Sequence, residues 1–495
     1  MTQSASSSVV PLSKAQPAGL RVLFLTEMWE RFSFYGMRAL LVIYLVNALG
    51  YSRENALALY GIYTGLVYFT PILGGALADR YLGQRQAVVV GGLIMVAGHF
   101  AMAFEPLLHF ALGLIIVGNG FFKPNVSSMV GDLYADKTDP RRAGGYSIFY
   151  MGINLGAFIA PLIAGTLGEK LGWHYGFAVA GIGMALGLVQ LIRGQHLLGR
   201  AGLKAHQSSV SWADARRIVV WASASILIVA ALIVAWPVLG DWYASLSSVA
   251  RGVLIAGAGL GFLWWVAKPD RNAQHPPLSK ADWAKVLGIL GVMVFVVAFW
   301  TGFEQKAGTM SLFADKQTDR DVLGFVIPTS WFQSINPLTI VLLAPLFSTA
   351  WTWLDRSRFA LSDVAKQGWG MIVLGLAFVL MTEVQAMADV QGKVAPLWLA
   401  LVIVIFTIGE LMLSPVGLSM VSRVAPARLA ALMMGAWMLS SAIANYLAGT
   451  LEHYLQGSGW PLFPFLAATS MGAGTLLLVL TPLFNRLMGL RKASA

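Results

Sequence analysis

Glu27-Met28-Trp29-Glu30-Arg31-Phe32-Ser33-Phe34-Tyr35-Gly36-Met37-Arg38 puts charged side chains into the first membrane-length apolar stretch of the chain. On insertion scales each charge at the centre of a membrane helix costs about 2.5 to 3.5 kcal/mol, so such groups must pair with one another or face a water-filled path. With a rise of about 1.5 Å per residue, Glu30 and Arg31 lie roughly 14 Å beyond Arg21, and Arg38 roughly 25 Å beyond it. At about 100° per residue, Glu27, Glu30, Arg31, Phe34, Tyr35 and Arg38 share a stripe roughly 140° wide. One helix face therefore carries the whole set, and that face marks a site.

The rest of the chain confirms the setting. Its 495 residues are 57% hydrophobic and 12% charged, with mean hydropathy +0.69, well below the share of charged residues usual in soluble domains. Apolar windows long enough to span a bilayer recur at about 20–48, 54–78, 84–103, 107–130, 143–166, 173–194, 213–236, 246–267, 282–306, 322–348, 367–387, 395–421, 427–452 and 461–486. The reading is an all-α polytopic membrane protein with fourteen transmembrane helices. The net charge of +11 comes from basic residues scattered through the loops, with no basic tail or aromatic-basic repeat of a nucleic-acid binder. Their sidedness accounts for them. Arg85, Arg141, Arg142, Arg193, Arg356 and Arg423 fall among the more basic loops on one side, and only a few, such as Arg53, Lys170 and Arg320, on the other. By the positive-inside rule both termini are cytoplasmic, and the expected location is the plasma (inner) membrane, as a multi-pass protein. There is no cysteine, so thiol chemistry is excluded. The polar first twenty residues lack the order of a cleaved signal peptide.

Gly74-Gly75-Ala76-Leu77-Ala78-Asp79-Arg80 ends the second window in a short turn with an Asp-Arg pair, and Leu354-Asp355-Arg356 after Ala344-Pro345-Leu346-Phe347 echoes it. The echo implies a duplicated chain. The expected organisation is a cytoplasmic tail at 1–19, a six-helix bundle at 20–194, a linker with two inserted transmembrane helices at 195–281, a second six-helix bundle at 282–486 and a cytoplasmic tail at 487–495. Halves related in this way place a substrate site between them near the midplane. The small-residue run before the Asp-Arg pair resembles the loop between helices two and three of the major facilitator superfamily.

Depth counting extends the site to other helices. Lys123, in Gly118-Asn119-Gly120-Phe121-Phe122-Lys123-Pro124-Asn125, and Glu410, in Ile408-Gly409-Glu410-Leu411-Met412-Leu413-Ser414-Pro415, fall in the cytoplasmic half, whereas Glu304 after Trp300-Thr301-Gly302-Phe303 reaches the outer side. Two cross-half gating pairs follow, Lys123 with Glu410 inside and Arg38 with Glu304 outside, and a rocking protein cannot close both at once. The alternative is static ion pairs that set helix register. Glu27, Glu30, Glu304 and Glu410 against Arg31, Arg38 and Lys123 leave one excess negative charge, which a proton would neutralise. That count omits Lys306. The histidines show no metal-ligand spacing and read as loop or helix-end residues. No HExxH or GxSxG motif points to an enzyme.

Glu27-x-x-Glu30-Arg31-Phe32, Phe149-Tyr150-Met151-Gly152-Ile153-Asn154-Leu155-Gly156, Glu304-Gln305 after Trp300, Gln333-Ser334-Ile335-Asn336-Pro337, Gly409-Glu410-Leu411 with Ser414-Pro415, and Gly435-Ala436-Trp437 together resemble the proton-coupled oligopeptide transporter (POT/PTR) family of the major facilitator superfamily, bacterial type, over nearly the whole chain. The resemblance implies an H+-driven symporter that imports di- and tripeptides by alternating access, with H+ as the coupling ion, no other cofactor and no obligate protein partner. It implies that Glu410 holds the peptide amine, helped by Asn154, Asn336 and Ser414. Arg31, Lys123 and Tyr35 would face the carboxylate, with Tyr68 nearby, and Trp300 and Trp437 would line side-chain pockets. It assigns proton coupling to Glu27, Glu30, Arg31 and Glu304, and makes Arg38 with Glu304 the outer gate. Phe34 stands where many members have a tyrosine, and the second helix lacks the histidine of animal members. An H+-coupled carrier of another small metabolite or anion on the same fold remains the second reading.

Overall fold

The computed structural model describes residues 15–135, 139–203, 212–245, 247, 250, 278–456 and 458–490. The expected second inserted helix at 246–267 lies outside them except for isolated residues, as do most of the first tail and the last residues of the chain. The first half supplies α1 (Gly19–Asn47), α2 (Arg53–Leu77), α3 (Gln84–Ala101), α4 (Leu108–Asp132), α5 (Arg141–Lys170) and α6 (Trp173–Gly194). An additional helix, α7 (Trp212–Ser245), follows. The second half supplies α8 (Lys280–Phe303), the short α9 (Thr309–Lys316), α10 (Phe332–Asp355), α11 (Asp363–Gln391), α12 (Pro396–Val424), α13 (Ala430–Leu455) and α14 (Leu462–Met488). Nine of the described helical segments are long and apolar enough to cross a membrane by length and composition. The start of α1 packs against Leu133 and Leu198, and the start of α8 against Met488 at the end of α14. We call the end of the bundle that holds these points the terminal end, and the opposite one the distal end.

The described residues are nearly, but not wholly, helical. Asp321–Val322 (β1) and Phe325–Val326 (β2) form an antiparallel hairpin at the distal end. This corrects the expected helix start at 322. Leu323 and Gly324 have φ of 55° and 81°, and the Gly324 N–H donates to Asp321 Oδ1 at 2.9 Å. That left-handed turn is incompatible with a helix, so α10 begins only after Pro328 has ended the extended segment.

Side-chain caps set several helix starts: Ser52 accepts from the Asn55 N–H before α2, Ser362 accepts from the Ala365 N–H before α11, and Ser279 with Asp282 forms a capping box before α8. Small residues set the packing, since lipid supplies no hydrophobic drive between helices and close backbone contact must do so. A Cβ on Gly74 would strike the Gly120 carbonyl, which joins α2 to α4; one on Gly61 would strike Gly449, which joins α2 to α13 across the two groups of helices. The core of the second half centres on Phe299, Phe303, Phe378 and Phe406. The first half is held by clusters around Leu40, Tyr63 and Phe177 and around Phe122, Met129 and Leu191. α7 lies outside this ring, with Ala222 and Val229 buried against Val90, Ile94 and Leu114.

The two groups of helices meet tightly at the distal end. Glu169 accepts from the backbone N–H groups of Thr329 and Ser330 at 2.7 and 2.8 Å. Trp331 Nε1 donates to Thr166 at 2.8 Å, Ser334 Oγ donates to the Phe158 carbonyl at 2.7 Å, and Arg53 pairs with Glu452 at 2.7 Å. Toward the terminal end a cavity of about 680 Å³ opens instead, lined mainly by α10, α11 and α12 together with Tyr150 of α5.

Candidate functional site

The α1 stripe forms as its spacing predicts. Glu27, Glu30, Arg31 and Arg38 are at most 4% exposed. Glu30 takes both a short hydrogen bond from Arg31 Nε and a second from Arg31 Nη2 at 2.7 Å, while Glu27 Oε1 stands 3.3 Å from Arg31 Nε. The bidentate pairing fixes the guanidinium plane, and that guanidinium stacks over the rings of Phe34 and Tyr35, 5.2 and 5.9 Å from their centroids. Phe34, which lacks the hydroxyl, thus serves as a cation–π platform. Lys123 reaches this cluster from α4: its Nζ lies 4.5 Å from the centre of the Tyr68 ring and within the field of Arg31, Glu30 and Glu27. Among the described residues Glu27 Oε2 has no hydrogen-bond partner.

Arg38 and Glu304 pair directly across the two halves, as depth counting predicts, and Arg38 Nε also donates to the Tyr60 hydroxyl. The partner pair, Lys123 with Glu410, is not formed. Glu410 Oε2 instead accepts from Asn336 Nδ2 at 2.8 Å, and Asn336 Oδ1 accepts from Lys306 Nζ at 2.8 Å. Lys306 also sits 3.7 Å from the centre of the Phe303 ring. Of the two expected pairs, this conformation forms the distal one, Arg38 with Glu304, and leaves Lys123 and Glu410 apart.

Lys306 is the residue the charge count lacked. With it, four acids (Glu27, Glu30, Glu304, Glu410) face four bases (Arg31, Arg38, Lys123, Lys306), all largely withdrawn from solvent. No proton is then needed for neutrality when every acid is ionised. The signal was present in Glu304-Gln305-Lys306, but only the tight turn at the end of α8 aims this lysine back at Asn336.

Between the halves lies a cavity of about 140 Å³ lined by Tyr35, Arg38, Tyr68, Asn154, Trp300, Glu304, Lys306, Asn336 and Glu410, with Tyr150 and Gln333. Tyr150 and Glu410 also line the larger opening, where Ser414 lies, so the two spaces adjoin. Asn154 Nδ2 is occupied by the Tyr150 carbonyl at 3.0 Å. Trp300 Nε1 is buried without a partner among the described residues, a donor left over at the cavity wall. Thr407, which accepts from Asn336 Nδ2 at 2.9 Å, steadies the amide and was not foreseen.

One expectation needs correction. Trp437 lines neither cavity: it is 3% exposed, belongs to the core of the second half and packs against Gly417, because Gly417 leaves room for an indole there. His99 falls at a helix end as expected, in the last turn of α3, and is fully buried there with neither ring nitrogen partnered among the described residues. The Asp355-Arg356 echo also works differently, since Asp355 pairs with Lys366 at 2.7 Å. Among the described residues there is no group of three or more acids and histidines placed to hold a metal.

Residues 85–458 match a family model described as the POT family. The chain is 37% identical to the peptide transporter YePEPT of Yersinia enterocolitica over 95% of each chain, and 34% identical to a di-/tripeptide transporter of Lactococcus lactis over 96% of this chain and 97% of that one. Its fold is similar to a variant of the peptide transporter POT solved in complex with alafosfalin, with a TM-score of 0.78, 36% identity and 96% of each chain covered. It is likewise similar to a POT family transporter solved in complex with 5-aminolevulinic acid, with a TM-score of 0.79, 31% identity and coverage of 95% of this chain and 97% of that one.

Proposed function

Because the chain belongs to the POT family, we propose that it imports di- and tripeptides across the bacterial plasma membrane by proton-coupled symport and alternating access. The observation that carries this reading is the cavity between the halves: at one end Glu410 is relayed through Asn336 to Lys306, whose place a peptide amine can take, and through Tyr35 and Tyr68 the cavity borders a cationic cluster at Arg31 and Lys123. A peptide zwitterion needs its opposite charges met at two points separated by about 3.3 to 3.6 Å per extended residue. Glu410 and Asn336 receive the amine; Arg31, Lys123 and Tyr35 face the carboxylate; Tyr68, Asn154, Ser414 and Trp300 shape the space between, and the free Trp300 N–H suits a peptide carbonyl. The buried Glu27 and Glu30 beside Arg31, together with Glu304 at the gate, are the groups through which H+ acts. Protonating Glu304 removes the charge that holds Arg38 and so loosens the distal closure.

The topology proposed with this function has the distal end outside and both termini cytoplasmic. Two six-helix bundles at 20–194 and 282–486 rock about the site, two inserted helices lie in 195–281, and fourteen helices span the membrane in all. The conformation described is then inward-facing. A second reading, a carrier of another amine-bearing carboxylate on the same scaffold, draws on the relative bound to 5-aminolevulinic acid, which carries both groups. Purified protein in proteoliposomes should accumulate labelled dialanine when the outside is acidic and the interior negative. Absence of uptake under that gradient removes peptide symport, and preferential accumulation of 5-aminolevulinic acid favours the second reading.

A further inference from the structure

A third cavity, of about 530 Å³, lies on the flank of the first half and is separate from the transport path. It is a groove between α1 and α6. Leu25, Trp29, Leu186 and Val189 line its length and Arg21 and Arg193 line its terminal end. Leu25, Leu186 and Val189 are 36%, 46% and 46% exposed, as side chains facing acyl chains would be. The floor is built rather than accidental: Thr26 Oγ1 donates to Gln190 Oε1 at 2.9 Å, and Gly187 and Gly194 admit Trp29 and Val22 into close contact.

Several basic residues at this end are engaged within the protein. Arg85 is spent on the carbonyls of Gly199 and Ala201, Arg141 on Asp139, Lys366 on Asp355 and Arg423 on Asp363. Arg21 and Arg193 are exposed and have no ion-pair partner among the described residues. Neither helix offers one, because α6 contains no acid and the acids of α1 are buried against Arg31. Arg21 also stands in the first turn of α1, which holds no acidic residue, so it adds a cation to the positive end of a helix dipole, an arrangement that an external anion relieves. From Arg21 to Trp29 the helix rises about 12 Å, most of one leaflet's share of a hydrocarbon core about 30 Å thick.

We infer that this groove is a binding site for an anionic phospholipid of the leaflet at the terminal end, its phosphate held between Arg21 and Arg193 and an acyl chain laid along Leu25, Leu186 and Val189 to Trp29. Charge complementarity selects an anionic headgroup over a zwitterionic one, and the apolar length selects a lipid over free phosphate. The site is independent of the peptide path.

Native mass spectrometry of the full chain, titrated with phosphatidylglycerol or phosphatidylcholine, tests it. Wild type should retain phosphatidylglycerol in preference to phosphatidylcholine. Replacing both arginines, Arg21→Gln with Arg193→Gln, should weaken phosphatidylglycerol roughly 30-fold, the product of two basic contacts near a membrane surface, and leave phosphatidylcholine unchanged. Val189→Trp, which fills the groove with both arginines intact, should weaken phosphatidylglycerol as well, and Arg356→Gln with Arg358→Gln at the same end should leave it as it was. The inference is overturned if wild type shows no preference, if the double replacement keeps it, if filling the groove changes nothing, or if the Arg356 and Arg358 control loses as much.

Discussion

The charge clusters of the two halves solve one problem in opposite ways. In the first half Glu27, Glu30 and Arg31 sit at i, i+3 and i+4 on a single helix and satisfy one another directly, with Glu30 gripping Arg31 through two hydrogen bonds. In the second half Lys306 and Glu410 do not touch; the neutral amide of Asn336 stands between them, accepting from one and donating to the other. A direct bidentate pair is rigid and costly to break. A relayed pair can be opened by any ammonium that takes the lysine's place, without leaving a carboxylate bare. Under the proposed function, the difference means that the first half holds charge and moves a proton while the second exchanges one amine for another.

The largest effect that would break this contrast is at Glu410. Glu410→Ala should abolish dialanine binding in isothermal titration, a loss of about 3 kcal/mol or more, since removing one member of a buried charged set strands the rest. Retained wild-type affinity would move the amine site elsewhere. Next comes the proton side. Glu30→Gln keeps the shape of the Arg31 pair but not its charge, so gradient-driven accumulation should fall to the level of passive exchange while counterflow of labelled dialanine persists; accumulation at the wild-type level would take the coupling role from this carboxylate. The smallest effect sharpens the boundary of the site. Trp437→Phe should lower thermal stability by about 1 to 2 kcal/mol through the space left beside Gly417, with dialanine affinity unaltered. A fall in affinity without a fall in stability would bring Trp437 back to the cavity wall.

Part of this site was legible because its information is local. The α1 stripe follows from helical periodicity alone, and Arg38 with Glu304 follows from rise per residue on two helices of known direction. Both rules are one-dimensional, so counting suffices. Lys306 escaped because its direction depends on where a helix stops, and the pocket place that the family resemblance implied for Trp437 is not the one it takes here, because the indole packs against Gly417 instead. The hairpin at Asp321–Val326 was hidden within an apolar window that suits a strand or a helix, and the turn at Leu323-Gly324 decides it.

What the chain determines by itself is therefore its class, the helical register of its charges and the family to which its motifs belong, because these depend on residue type and spacing along single helices. Which charges meet was decided only by the packed tertiary arrangement. Arg38 reaches Glu304 while Lys123 and Glu410 stay apart, and an amide relays Lys306 to Glu410, because each of those contacts joins segments far apart in sequence. Their mutual placement is set by close contacts such as Gly61 with Gly449 and Ser334 with Phe158, and side chains of one helix cannot report where another helix has come to rest.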